Sequence, residues 1–153
     1  MTEEELLTFL SEGQKTLQVA SNDRDGYPHL IPMWFLVEEG KVVFRSFTKS
    51  QKIVNLSRDP RVSVLAEEGT AYEELRGAMI KGQAKLVEDT EYCLDLYVGL
   101  ANRYSFFPGV EPGATPEAEV REYFASFAAK QTAVIVDPVE VVSWDYRKLS
   151  GGY

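Results

Sequence analysis

The residues with the clearest chemical potential lie in one stretch, Arg45-Ser46-Phe47-Thr48-Lys49-Ser50-Gln51-Lys52. A hydrophobic strand pattern ends at Phe47, a polar loop follows, and Ser50 is placed to cap a short helix running to Arg58. Helix N-termini present free backbone N–H groups and the positive end of the helix dipole, so they hold phosphate readily. Lys52 adds a point charge within the first turn, and Lys49 and Arg45 lie close in sequence. A capped surface helix with scattered lysines would have the same residues. The two readings stay open on this stretch alone.

Charge distribution bears on the choice. From Lys41 to Arg61 six cations stand against Asp59 alone, a net +5, in a chain whose net charge is −8. A basic island in an acidic protein suits a small anionic ligand; a solvated strand edge is the plainer alternative. The overall acidity argues against a nucleic-acid partner, which needs clustered Lys and Arg. One cysteine, Cys93, and one histidine, His29, cannot build a Cys/His zinc cage or an internal disulfide, so a reducing, cytoplasmic compartment is expected. The N-terminus is acidic at Glu3-Glu4-Glu5, unlike a signal peptide, and no apolar run is long enough to span a bilayer, so no membrane partner is expected.

The elements that must position these residues read as strands with inserted helices. Thr2 and Glu5 have capping-box spacing ahead of a short helix ending near Gly13. Thr16–Ser21 and Tyr27–Val37 read as strands around the Asp25-Gly26 turn. Pro28 and Pro32 mark the second as an edge or bulged strand. Lys41–Phe47, Arg61–Glu67 and Leu75–Val87 are further strands, and Thr132–Asp137 and Val139–Tyr146 form a final pair broken by Pro138. Thr90–Tyr104 and a segment from Thr115 to about Lys130 read as helices flanking a Pro/Gly loop. One domain over residues 1–153 is expected, a small, mainly β, antiparallel barrel with peripheral helices.

Ser50-Gln51-Lys52, then Asn55-Leu56 and Asp59-Pro60-Arg61-Val62-Ser63, resembles the core motif of the pyridoxamine-phosphate-oxidase-like split-barrel superfamily. Gly26–Phe35 is similar to its preceding strand and Gly82–Val87 to a later one. The resemblance implies a six-stranded antiparallel split barrel that forms a homodimer, with a cofactor at the subunit interface. Members bind FMN, the deazaflavin coenzyme F-420, or sometimes haem or FAD. Carried over by position, Ser50 and Lys52 would contact the phosphate, with Gln51, Lys49 and Arg45 around it. Pro32, Met33, Trp34 and Phe35 would run beside the ring.

Two departures direct the reading within that family. Gln51 stands where FMN-dependent pyridoxamine phosphate oxidases usually have Arg, and the C-terminal Ser143–Leu149 segment carries no His, against vitamin B6 oxidation. The chain looks closer to the deazaflavin-using branch, which implies hydride transfer to a small conjugated substrate; an FMN-dependent oxidoreductase and a non-catalytic flavin- or haem-binding protein are the alternatives. No acid/base cluster stands out, as expected where the cofactor does the chemistry and the protein orients it. His29 and Trp144 could meet cofactor or substrate, and Tyr104, Phe106 and Phe107 could line a pocket; each also reads as a packing residue.

Overall fold

The chain was analysed as a computed structural model, which describes residues 1–149; positions 150–153 of the expected 1–153 domain lie outside the described residues. Helix α1 (Glu3–Ser11) starts on the capping box: the Glu5 amide donates to Thr2 Oγ1 at 3.2 Å and the Thr2 amide to Glu5 Oε2 at 2.6 Å. Strands β1 (Leu17–Asn22), β2 (Pro28–Met33), β3 (Leu36–Glu38) and β4 (Lys41–Phe47) follow, then helix α2 (Gln51–Arg58). Strands β5 (Arg61–Glu68) and β6 (Arg76–Val87) precede helices α3 (Thr90–Arg103) and α4 (Glu117–Ala128), and β7 (Gln131–Asp145) completes the sheet.

All seven strands pair antiparallel in the order β2-β1-β5-β6-β7-β4-β3. The edge strands are consecutive in the chain, joined only by Trp34-Phe35. Met33 and Leu36 can be at most about 10 Å apart along the chain, whereas the edges of a flat sheet of this size would stand about 28 Å apart. The sheet must therefore curl until its edges nearly meet, which is the half-closed barrel.

Seven strands replace the expected six, and two boundaries differ. The expected Tyr27–Val37 strand divides because β1 begins at Leu17, opposite Met33, and leaves nothing for Trp34 and Phe35 to pair with. They cross the gap, and Leu36 starts a second edge strand against Val43. Pro28 and Pro32 sit on the edge strand as anticipated, where a missing N–H harms no ladder. At the C-terminus, Pro138 does not break the strand. It pairs with Gly82 at a bulge, Lys81 then pairs with Glu140, and β7 continues to Asp145.

Alternation along β4 sends its side chains to two cores. Val42 and Phe44 face the barrel interior, with Phe9, Leu17, Ile53 and Leu56, so α1 and α2 plug the curl. Val43 faces outward to Leu96, Tyr97 and Phe124 of α3 and α4. That two-sidedness decides where Arg45 and Ser46 point.

Candidate functional site

The start of α2 holds a buried ammonium. Lys52 is only 9% exposed, and its Nζ donates to Ser46 Oγ at 2.9 Å. No carboxylate among the described residues pairs with it. Burial pulls its pKa below the usual lysine value. Ser46 and Ser50 hydroxyls lie 3.0 Å apart. Either hydroxyl can donate to the other, since Ser46 keeps a second lone pair after accepting from Lys52; with Ser46 as donor, the Ser50 hydrogen is left for a further acceptor. Ser50 occupies the N-cap, yet its side chain makes no cap bond, and among the described residues no side chain accepts from the first-turn N–H groups of α2.

The rest of the motif holds the helix in place. Asn55 is fully buried; its amide donates to Asp23 Oδ1 at 2.7 Å and Ser21 Oγ at 3.2 Å, and its carbonyl oxygen accepts from Gln51 Nε2 at 2.9 Å. Asp59 accepts from Asn22 Nδ2 at 2.9 Å and pairs with Arg61 at 2.7 Å. These bonds tie the middle and C-terminal end of α2 to the end of β1, the β1–β2 turn and β5. Gln51 is thus turned along its own helix.

The basic island does not converge on one point. Lys41 pairs with Asp137 at 2.5 Å, Arg61 with Asp59, and Arg58 donates to the Asn22 carbonyl. Arg45 projects from the opposite face of β4, with its guanidinium carbon 3.4 Å from the centre of the Tyr97 ring and Nη1 donating to Gln131 Oε1 at 3.2 Å. Its Nε is buried with no partner, and burial pulls its pKa down to about 10. Lys49 is exposed and has no ion-pair partner among the described residues.

A cleft of about 400 Å³ brings Pro32, Met33 and Trp34 together with Arg45, Thr16 and Leu100. Three of the four residues expected beside a ring therefore share one cleft with a cation, while Lys52 does not line it. Phe35 is elsewhere: its ring is fully buried in the barrel core, and its carbonyl accepts from Arg103 at 3.0 Å and Tyr104 at 3.3 Å. Trp34 stacks on Tyr104, with ring centroids 4.7 Å apart. His29 lies on β2 opposite Ser21, and Trp144 lies against Gly77 across the β6–β7 ladder.

Ser46 lies in the stretch named from the sequence but had no role there, and Tyr97 and Gln131 were not expected at the site. Ser46 carries a signal in retrospect: a small hydroxyl at an inward strand position, six residues before a lysine. Tyr97 and Gln131 come from distant elements and carry none. Among the described residues no group of three or more His, Cys, Asp or Glu is placed to hold a metal ion, and no helix is long and apolar enough to cross a membrane.

A curled antiparallel sheet with α2 plugging its interior, and a cation–hydroxyl cluster at that helix's start, defines the split-barrel class. Residues 2–133 match the pyridoxamine 5'-phosphate oxidase family, and the chain belongs to it. Among solved structures, it is similar to a conserved hypothetical protein from Mycobacterium tuberculosis at 34% identity and a TM-score of 0.87, covering 100% of this chain and 90% of that one. An F420 reductase matches at 24% identity and a TM-score of 0.65, covering 88% of this chain and 94% of the other. A FAD-binding protein from Mesorhizobium loti matches at 15% identity and a TM-score of 0.67, covering 94% of each. The last two likenesses speak to the fold. No curated protein sequence matches the chain.

Proposed function

We propose that this chain is an oxidoreductase that takes the deazaflavin coenzyme F-420 and serves hydride transfer to a small conjugated organic substrate. The observation that carries the reading is Lys52: a buried ammonium with a hydroxyl acceptor but, among the described residues, no counter-ion, at a helix start that no described side chain caps. A buried charge needs a partner, and an acidic phosphate group supplies one. Lys52, Ser50 and the first-turn N–H groups of α2 would hold that phosphate. Lys49 is free to meet further negative charge of an acidic tail. Pro32, Met33 and Trp34, with Arg45 in the same cleft, would flank the ring and keep water from it. The cofactor, when bound, supplies the hydride chemistry.

Gln51 supports the deazaflavin over FMN, because its amide is engaged with Asn55 and no cation stands at that position. The C-terminal Ser143–Leu149 segment has no His, which speaks against vitamin B6 oxidation. A homodimer with the cofactor at the subunit interface belongs to this reading. Leu30 (61% exposed), Phe47 (52%), Val139 (73%) and Val142 (44%) offer apolar surface for a second copy.

Titrating F-420 and FMN separately into the purified chain tests the reading. Saturable F-420 binding that weakens at least about tenfold in Lys52→Met is expected. Tighter FMN binding would replace the deazaflavin with a flavin, and affinity for both unchanged in Lys52→Met would overturn the site. Bound F-420 supplied in its reduced form that reduces no member of an enone panel would mark a binding protein, and a monomer in light scattering would remove the interface.

A further inference from the structure

A second cavity, of about 150 Å³, lies between α3, α4 and the loop that joins them. Five aromatic rings wall it: Tyr104, Phe106, Phe107, Tyr123 and Phe124. The lining contains no lysine or arginine, and it includes the carboxylate-bearing Glu111 and Glu119. Both glutamates are exposed, and neither pairs with a cation among the described residues. Two cations lie near: Arg121 on α4 is taken by Glu117, Asp95 and Glu91, and the Arg45 guanidinium, 6.0 Å from the Phe106 ring centre, is held on the far side of the wall against Tyr97 at 3.4 Å.

The walls are positioned before any ligand arrives. Phe124 stacks on Tyr97 with centroids 4.1 Å apart, and Phe106 meets Trp34 edge-on at 5.2 Å. Ser105 Oγ contacts the Phe107 carbonyl at 2.7 Å and the Val110 carbonyl at 2.6 Å, and the Gly113 amide donates to the Ala101 carbonyl at 2.9 Å. The loop is thereby pinned to α3. A rigid aromatic wall lowers the entropy cost of binding.

We propose that this cavity binds a small organic cation, an alkylated ammonium of choline size. Its volume is that of a cavity that accepts a single benzene ring. Aromatic π-faces attract a weakly hydrated cation, and unpaired carboxylates at the wall add charge complementarity that a neutral guest would leave unused. Anions are excluded by the same carboxylates. The cavity shares no lining residue with the Lys52 cluster, and the proposal does not depend on the cofactor reading.

The test is a calorimetric titration of the full chain with choline chloride and, separately, with its neutral isostere 3,3-dimethyl-1-butanol, each at low and high sodium chloride. Choline should bind saturably, about tenfold or more tighter than the alcohol, and weaken with salt. Trp34 fluorescence should shift on binding, since Trp34 stacks on Tyr104 and touches Phe106. Tyr123 is 56% exposed, so Tyr123→Ala should leave the fold intact and lower choline affinity at least about fivefold. The Glu111→Gln/Glu119→Gln variant touches no core residue and should abolish the preference for choline over the alcohol. Equal binding of choline and the alcohol would show an apolar cavity without cation selectivity and overturn the proposal. So would the lack of saturable choline binding, or choline affinity unchanged in both variants.

Discussion

The Lys52 ammonium lies 2.9 Å from the Ser46 hydroxyl, and that hydroxyl is its only hydrogen-bond partner among the described residues. The two residues sit on different elements, one at the end of β4 and one in the first turn of α2. The strand thus holds the cation in place while leaving its charge uncompensated. Such an arrangement costs stability in the free protein.

The free protein should therefore tolerate loss of the charge. Burial holds the folded-state pKa of Lys52 below its unfolded value, so the unfolded chain binds more protons between the two. Stability should accordingly rise as pH climbs through that window, just below the ordinary lysine value. Lys52→Met should melt no lower than the parent at neutral pH and should lose this alkaline rise. Thermal melts of both proteins without cofactor from pH 7 to 11 check it; a clearly lower melting point would show that the ammonium stabilises the fold.

Ser46→Ala should do the opposite. It removes the acceptor from a buried ammonium, at a cost of about 1–3 kcal/mol. In a Lys52→Met background the same change should cost much less, because no buried donor is left unsatisfied. Urea melts of the four proteins form a double-mutant cycle, and strict additivity would contradict the coupling.

Gly82→Ala should destabilise the sheet at the β7 bulge. A methyl group there would lie 2.5 Å from the Asp137 carbonyl oxygen and 2.8 Å from Val136 Cγ1. The carbonyl is backbone and cannot swing aside without disturbing the Gly82–Pro138 register. A loss of about 1–3 kcal/mol is expected, or roughly 2–4 °C in melting temperature for each kcal/mol. A differential melt decides it.

The start of α1 should respond to acid. Hydrogen bonding from Lys148 and from the Thr2 amide holds the Glu5 carboxyl down to about 2. A depressed folded-state pKa contributes stability above the unfolded carboxylate value of about 4.3, and that contribution is lost as pH falls toward 2. Carboxylate NMR should show Glu5 titrating near 2, and Glu5→Gln should flatten the acid slope of stability. A midpoint near the ordinary glutamate value would show that the Lys148 contact does not form in solution.

Local chemistry was readable in the chain itself wherever neighbours in sequence are the partners. The Thr2/Glu5 capping box, the Asp25-Gly26 turn, β4 ending at Phe47, and α2 running from Gln51, after Ser50 at the N-cap, to Arg58 all follow from propensity and pattern over a few residues. The motif from Ser50 to Ser63 was enough to point to the split-barrel superfamily. Pro28 and Pro32 placed their strand on an edge because a residue without an N–H is tolerated there.

Tertiary structure decided the rest, because it depends on partners remote in sequence. Charge counting made Lys41, Arg45, Lys49, Lys52, Arg58 and Arg61 one island. Folding disperses them, since strand alternation sends Arg45 out to Tyr97 and Ser46 in to Lys52, and Asp137 neutralises Lys41 from another strand. The split of the Tyr27–Val37 strand into β2 and β3 follows from curling of the whole sheet, which no local window contains. Phe35 looked like one more ring-side residue, but barrel closure buries it. By itself the sequence determined the helix start, its lysine and the family motif. Only the fold could decide which of its cations would be left without a partner, because pairing is a matter of distance in space and not along the chain.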